Sequence, residues 1–221
     1  MHSWKPMTCF RLALCLLIVF PAHVLLAFED RSGTAVPDRA EFSYAIAAGD
    51  VDADGDPDAV VANDGIPRLL LNAGDATFSD AAQDKLTVPR GGYVDIALAD
   101  VDGDDDLDLL LVNSEGRNRL LANDGSGAFT DRTVADLPNT AYRSMGAAFG
   151  DLDNDGDVDL LIANVGSRNR LFFNDGNGQF TDETAGSLPD ETDATYDVVL
   201  SDVDGDGDLD LFALNNGGQN R

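Results

Sequence analysis

Aspartate is concentrated in four nine-residue segments of the chain, where it occupies positions 1, 3, 5, 7 and 9. The segments are DVDADGDPD from Asp50, DVDGDDDLD from Asp100, DLDNDGDVD from Asp151 and DVDGDGDLD from Asp202. Two like charges about 4 Å apart repel by roughly 4 kcal/mol at an effective dielectric near 20. Carboxylates spaced this closely therefore predict loops that hold a cation, which would cancel the repulsion.

The identity of the cation follows from the ligand chemistry. Carboxylates at positions 1, 3, 5 and 9, with a glycine at position 6 for a sharp turn, gather hard oxygen ligands around one point. Ca²⁺ takes about six to eight such oxygens, whereas Mg²⁺ prefers to keep its waters. We therefore predict Ca²⁺ as the cofactor; the alternative is solvated acidic turns without an ion.

The aspartates at positions 1, 3, 5, 7 and 9 of the four segments are the candidate ligands. In the third segment we expect carboxylates from positions 1, 3, 5 and 9, the backbone carbonyl of Asp157, and water for the rest. The candidate metal residues are Asp50, Asp52, Asp54, Asp56, Asp58, Asp100, Asp102, Asp104, Asp106, Asp108, Asp151, Asp153, Asp155, Asp157, Asp159, Asp202, Asp204, Asp206, Asp208 and Asp210.

Two details qualify the pattern. Asp105 replaces the glycine of the other loops; aspartate tolerates a left-handed backbone better than most residues, so we expect that site to persist with lower affinity. An EF-hand shares the opening pattern but needs a glutamate at position 12 and flanking helices. Position 12 is instead Val61, Leu111, Ile162 and Ala213, which excludes the EF-hand.

The loops belong to a repeat of about 50 residues. RNRLLANDGSGAFTDRT (117–133) is matched 51 residues later by RNRLFFNDGNGQFTDET (168–184). Each unit contains four short apolar runs bounded by Gly, Asn and Asp, and the run after each loop is apolar on both faces. This pattern predicts an all-β fold, a β-propeller of four-stranded blades that cover one another.

DxDxDGxxD loops about 50 residues apart, followed by NDGxGxFTD, resemble the FG-GAP/VCBS repeat family, which includes the integrin α-chain head. The resemblance implies a calcium-bound propeller, usually of about seven blades, displayed outside the cytoplasm for recognition or adhesion. This chain departs from the family at Asp105 and lacks a clear Phe-Gly…Gly-Ala-Pro signature, the nearest match being Gly146-Ala147-Ala148-Phe149-Gly150. Integrin-like ligand specificity is therefore not implied.

The two ends of the chain carry further signals. In residues 1–27, Lys5 and Arg11 precede an apolar stretch that ends on Ala27, which predicts a cleaved signal peptide; the alternatives are an uncleaved membrane anchor and a lipoprotein attached through Cys15. Residues 28–221 are assigned to the repeats. Phe28–Asp30 match the fourth run of a unit, and Gln219–Arg221 match Arg168–Arg170, so we expect a half-complete fourth blade in a fragment of a longer protein.

Composition narrows the function. Removal of residues 1–27 takes away both cysteines and both histidines and leaves 12 basic against 41 acidic residues, a formal charge of −29. Disulfides, Cys/His zinc sites and histidine catalysis are then excluded, and nucleic acid and anionic membranes are poor partners. No membrane insertion is expected after cleavage.

We therefore expect an extracellular, cell-surface or periplasmic calcium-binding module that recognises a protein or a glycan and is not an enzyme. The alternative is a propeller-based polysaccharide lyase or hydrolase using Tyr93, Tyr142 or Tyr196, although tyrosines at similar places in several units favour packing. The basic triplets 117–119 and 168–170 could contact an acidic sugar; pairing with neighbouring aspartates is the expected alternative.

Overall fold

A computed structural model describes residues 35–37, 41–138 and 142–220 of the chain. The predicted signal peptide and the predicted strand at Phe28–Asp30 lie outside these residues. Within the described part, every helix is too short and too polar to cross a membrane.

The repeats are antiparallel β-blades, as predicted. The first strands of the four repeats are β1 (Ser43–Gly49), β5 (Gly91–Ala99), β9 (Ser144–Gly150) and β13 (Thr195–Ser201). The second strands are β2 (Asp58–Gly65), β6 (Asp108–Asn113), β10 (Asp159–Asn164) and β14 (Asp210–Asn215). The third strands are β3 (Arg68–Asn72), β7 (Arg119–Asn123) and β11 (Arg170–Asn174), and the fourth are β4 (Phe78–Asp80), β8 (Phe129–Asp131) and β12 (Phe180–Asp182).

Within each blade, every strand pairs with the next along the chain, which gives the four-stranded blade of a β-propeller. The end of β2 also pairs with the start of β5, through Asp64 with Gly92 and Gly65 with Gly91, so blades 1 and 2 share one eight-stranded sheet. In the fourth repeat the described residues form two strands, β13 and β14.

The second strands of blades 2 and 3, β6 and β10, are buried on both faces, which explains their unbroken apolar sequences. All six residues of β6 are buried. Leu109 and Leu111 belong to the core shared with blade 1, whereas Leu110 and Val112 belong to the core shared with blade 3. Because successive side chains of a strand point to opposite faces, one apolar run serves two blade interfaces.

Polar side chains join the blades at the end opposite the aspartate loops. Asn118 Nδ2 donates to Ser144 Oγ in the next blade at 2.9 Å, and Asn169 Nδ2 donates to Thr195 Oγ1 at 3.1 Å. At the first junction Pro67 stands in place of the asparagine, and the equivalent of Ser144 is the fully buried Tyr93. The first junction therefore lacks this side-chain hydrogen bond and is joined instead by the backbone pairing of β2 with β5.

One element was not expected from the sequence. A four-residue helix follows each complete blade: α1 (Ala82–Lys85), α2 (Thr133–Asp136) and α3 (Thr184–Ser187). Asp131 Oδ1 accepts the N–H of Thr133 at 2.9 Å, and Thr133 Oγ1 accepts the N–H of Leu120 at 2.9 Å. A single turn is too short to show helical periodicity, so hydrophobic patterning could not reveal it.

Candidate functional site

Each aspartate segment forms a loop between the first and second strands of its blade. We call these segments loops 1 to 4, numbered by blade. Position 9 is the first residue of the second strand in every blade. The loop therefore feeds directly into a strand, which agrees with the exclusion of an EF-hand.

The backbone turns left-handed at two positions of each loop. At position 6, Asp105 has φ 70°, close to the glycines of the other loops at 92° to 99°. Its N–H donates to Asp100 Oδ2 at 2.9 Å, as Gly55 N–H does to Asp50 Oδ2. The substitution therefore leaves the fold of loop 2 intact. Position 4 is also left-handed, with φ 57° at Ala53 and 62° at Asn154; the glycines at this position in loops 2 and 4, Gly103 and Gly205, were the available sequence signal.

The position-1 carboxylate holds the turn from inside. Asp100 accepts three backbone N–H groups, from Gly103 at 2.8 Å, Asp104 at 3.2 Å and Asp105 at 2.9 Å. The position-5 carboxylate stabilises the last part of the loop, because Asp104 Oδ1 accepts the N–H of Asp106 at 3.0 Å. The loops are thus organised around their own carboxylates.

The position-9 carboxylate ties the loop to the blade. Asp108 is 1% exposed. Its Oδ2 accepts the N–H of Val101 at 3.0 Å, and its Oδ1 accepts the N–H of Asn123 at 2.8 Å, at the end of the third strand. The same two bonds occur at Asp58 and Asp159. The position-9 carboxylate therefore bonds both the start of its own loop and the end of the third strand.

Three carboxylates converge in each loop. In loops 1, 2 and 3 they come from positions 1, 3 and 9, and in loop 4 from positions 1, 3 and 5, with one oxygen of each within 4.8 Å of the others. The clusters are Asp50, Asp52 and Asp58; Asp100, Asp102 and Asp108; Asp151, Asp153 and Asp159; and Asp202, Asp204 and Asp206. Oxygens on opposite sides of a Ca²⁺ ion lie about 4.6–5.2 Å apart, so this spacing suits the ion.

Each of the first three clusters also contains a buried carboxylate oxygen without a hydrogen-bond partner. These atoms are Asp52 Oδ1, Asp102 Oδ1 and Asp151 Oδ1. A buried charged oxygen is costly unless a donor or a metal satisfies it. The residues present therefore fit a calcium ion.

The remaining candidates lie outside these clusters. Asp54, Asp104 and Asp155, at position 5, and Asp210, at position 9 of loop 4, are not grouped with the others, and their predicted role as ligands stays a prediction. The position-7 side chains lie against the turn glycines of the third hairpin instead. A Cβ on that glycine would lie 2.5–2.6 Å from the carboxylate; the pairs are Asp56 with Gly74, Asp106 with Gly125 and Asp157 with Gly176. Asp208 of loop 4 accepts Asn154 Nδ2 from loop 3 at 2.7 Å.

Burial and crowding disfavour the charged form of several of these carboxylates. Burial raises the pKa of Asp108 to about 6, although the N–H groups of Asn123 and Val101 act in the opposite direction. Burial, followed by neighbouring carboxylates, raises the pKa of Asp52 and Asp102. Burial also raises the pKa of Asp159.

These shifts predict opposite pH responses with and without calcium. A carboxyl whose pKa is higher in the folded state binds a proton more readily when folded, so the metal-free chain should gain stability as the pH falls through about 6. Protons compete with Ca²⁺ for the same oxygens, so the stabilisation by Ca²⁺ should shrink over the same range. Melting temperatures of resin-stripped and calcium-loaded protein between pH 7.5 and 5 test this. A rise in melting temperature on adding Ca²⁺ that stays the same across this pH range would contradict the prediction.

The basic triplets pair with their surroundings, as the second of the two alternatives predicts. Arg119 and Arg170 form ion pairs with Asp131 and Asp182 of the fourth strands, at 3.2 and 3.1 Å. Arg117 donates to the backbone carbonyls of Thr133 and Leu137. These guanidinium groups are therefore engaged in holding the blades.

The three tyrosines lie near the start of the first strand in blades 2, 3 and 4, at similar but not identical register positions. Tyr93 pairs with Asn113 in β5, Tyr196 lies in the bulge of β13, and Tyr142 precedes β9. Tyr93 is fully buried and its hydroxyl donates to the carbonyl of Pro89 at 2.9 Å. The Tyr142 ring stacks under Arg170 at 4.5 Å. Packing explains Tyr93 and Tyr142.

A family model described as FG-GAP-like repeat matches residues 50–111, 100–162 and 151–213. The chain belongs to this family. Each matched FG-GAP-like repeat runs from one aspartate loop into the second strand of the next blade. The repeat unit thus spans a blade interface.

Among curated proteins, the FG-GAP-like chain is similar to cartilage acidic protein 1. It is 27% identical to the mouse protein over 201 residues, which is 85% of this chain and 30% of that protein. It is 30% identical to the Xenopus tropicalis protein over 114 residues, 49% of this chain and 17% of that protein. The chain therefore spans less than a third of the relatives it matches.

Among solved structures, the FG-GAP-like chain is similar to a lectin from Agrocybe aegerita. The TM-score is 0.48 and the sequence identity 19%, over 82% of this chain and 52% of the lectin chain. That lectin specifically recognises non-reducing terminal N-acetylglucosamine.

Proposed function

We propose that the protein is an exported calcium-binding β-propeller module that recognises a protein or a glycan and acts outside the cytoplasm. Residues 1–27 are its signal peptide. The observation that carries the calcium part is the buried, unpartnered carboxylate oxygen in each three-carboxylate cluster of loops 1 to 3. Membership of the FG-GAP-like repeat family supports the module as a whole.

The calcium is structural rather than catalytic. The same chemistry recurs in each loop, and its carboxylates also hold the turn and the third strand. An ion that fixes them fixes the junction between loop and blade. When bound, Ca²⁺ balances the negative charge of the clustered carboxylates.

We assign recognition to loops on one face of the propeller. The basic triplets are the less favoured contact site, because their arginines are engaged within the blades. The alternative of a lyase or hydrolase has less support. Of its candidate residues, Tyr93 is fully buried and Tyr142 is held by Arg170.

Calorimetric titration of the intact chain with Ca²⁺ tests the metal part of the proposal. We expect up to four sites, and loss of one site in D151A, because Asp151 supplies a cluster oxygen and holds the N–H of Gly156. D190A is the matched control, since the Asp190 side chain is 93% exposed and lies outside the loops. Absence of binding at millimolar Ca²⁺ in the folded chain would overturn the proposal.

Two further measurements test export and recognition. Mass spectrometry of the exported protein should give Phe28 as the first residue; retention of residues 1–27 would overturn the assignment of a cleaved signal peptide. On a glycan array and a panel of extracellular proteins, binding should require Ca²⁺ and be lost on chelation. Binding that persists unchanged in chelator would separate recognition from the calcium-bound state.

A further inference from the structure

A buried asparagine connects loop 1 with loop 2. Asn123 ends the third strand of blade 2 and is 7% exposed. Its Nδ2 donates to the carbonyl of Val51 in loop 1 at 2.8 Å and to the carbonyl of Leu107 in loop 2 at 3.1 Å. Its backbone N–H donates to Asp108 Oδ1 at 2.8 Å. One residue therefore touches position 2 of one loop and positions 8 and 9 of the next.

The same arrangement connects loop 2 with loop 3. Asn174 is 5% exposed. Its Nδ2 donates to the carbonyl of Val101 at 2.7 Å and to that of Val158 at 3.1 Å, and its N–H donates to Asp159 Oδ1 at 2.9 Å. The link is thus a feature of the repeat and not an isolated contact.

These contacts join into one hydrogen-bonded path through three ligand carboxylates. The N–H of Val51 donates to Asp58 Oδ2, and the N–H of Val101 donates to Asp108 Oδ2, both at 3.0 Å. Each of these two valines also accepts a hydrogen bond through its own carbonyl from the side chain of the next asparagine, Asn123 or Asn174. The backbone N–H of that asparagine then donates to the next position-9 carboxylate. Through these shared residues the path connects Asp58 with Asp108 and Asp108 with Asp159.

We infer that Asn123 and Asn174 are positioning residues that couple calcium binding in adjacent loops, an inference that rests on the proposed calcium function. An ion in loop 2 fixes Asp108, which fixes Asn123 and through it the carbonyl of Val51 in loop 1. Loop 1 then has less ordering left to complete when its own ion binds, and this gives positive cooperativity. Coupling of this kind commonly changes affinity by about 5-fold or more.

The sign of the effect separates this path from direct electrostatics. Two calcium ions in neighbouring loops repel each other through space, so emptying loop 2 would by itself tighten binding in loop 1. Coupling through Asn123 predicts the reverse. The through-space part also weakens with salt, whereas buried hydrogen bonds are screened much less.

The experiment uses D102N, which removes a ligand of loop 2 that takes no part in the path. Calcium midpoints of single loops are read by NMR from the amide of Gly55 in loop 1 and of Gly156 in loop 3. Both amides donate to the position-1 carboxylate of their own loop. D102N is expected to weaken binding at both loops by about 5-fold in the otherwise unaltered chain.

Crossed variants then locate the coupling. In N123A the effect of D102N on loop 1 should disappear while its effect on loop 3 remains; in N174A the reverse should hold. N72A is a further control, because Asn72 Nδ2 bonds the carbonyl of Pro57 in its own loop; it should leave the coupling of loops 1 and 2 intact.

Unchanged midpoints in D102N alone would overturn the coupling, and this arm needs no substitution in the blade core. Coupling that survives in both N123A and N174A would overturn the role of the asparagines. Gly55 and Gly156 amides that do not respond to Ca²⁺ at all would instead refute the proposed calcium function.

Discussion

Removal of calcium is expected to lower the melting temperature of the protein by about 8 °C or more. For extracellular modules Kd is about 10⁻⁴ to 10⁻³ M, so 10 mM Ca²⁺ stabilises by about 1.4–2.7 kcal/mol for each occupied loop. Loops 1 to 3 together then contribute about 4–8 kcal/mol, and 1 kcal/mol shifts the midpoint of a chain of this size by about 2–4 °C. Calorimetric scans in 10 mM Ca²⁺ and in EDTA measure the difference.

The matched control is the triple variant D52N/D102N/D153N. Each substitution removes one cluster carboxylate and leaves the position-9 bonds in place. It should lose most of the gain from Ca²⁺. In EDTA it should be at least as stable as the unaltered chain, because burial and neighbouring carboxylates raise the pKa of Asp52 and Asp102. Equal melting temperatures of the unaltered chain in Ca²⁺ and in EDTA would contradict the calcium assignment.

The repeat period, the blades and the position of the loops could be predicted because they depend on local patterns. The apolar run after each loop predicted a strand buried on both faces, and Leu109 to Val112 divide between two cores. The glycine at position 6 predicted a left-handed turn, and Asp105 adopts the same conformation. Such features are written in residue types a few positions apart.

The different roles of the aspartates within each loop could not be predicted, because the sequence has the same residue at positions 1, 3, 5, 7 and 9. Only the fold shows that Asp108 faces the third strand while Asp106 lies against Gly125. The role of Asn123 was equally hidden, since NDG is typical of a hairpin turn. Its recurrence as Asn72, Asn123 and Asn174 was the available signal, but its partner Val51 lies 72 residues away in another blade.

The asymmetry within a loop leads to the second large effect, which concerns Asp108. D108A leaves the buried N–H groups of Val101 and Asn123 without an acceptor, and each such group costs about 1–3 kcal/mol. The burial that raises the pKa of this carboxyl to about 6 is relieved at the same time and offsets part of the loss. We expect a net destabilisation of about 2–4 kcal/mol in calcium-free buffer, measured by urea unfolding at pH 7.5.

D104A is the comparison within the same loop. Asp104 is exposed, and its Oδ1 accepts one exposed N–H, from Asp106, so the calcium-free chain should lose less than about 1 kcal/mol. Both variants should weaken calcium binding at loop 2 if position 5 is a ligand as predicted. Equal stability of the two variants without calcium would show that position 9 is only a ligand. Unequal stability means that the ninth aspartate is needed for the blade itself, so it must be kept even in a loop that binds calcium poorly.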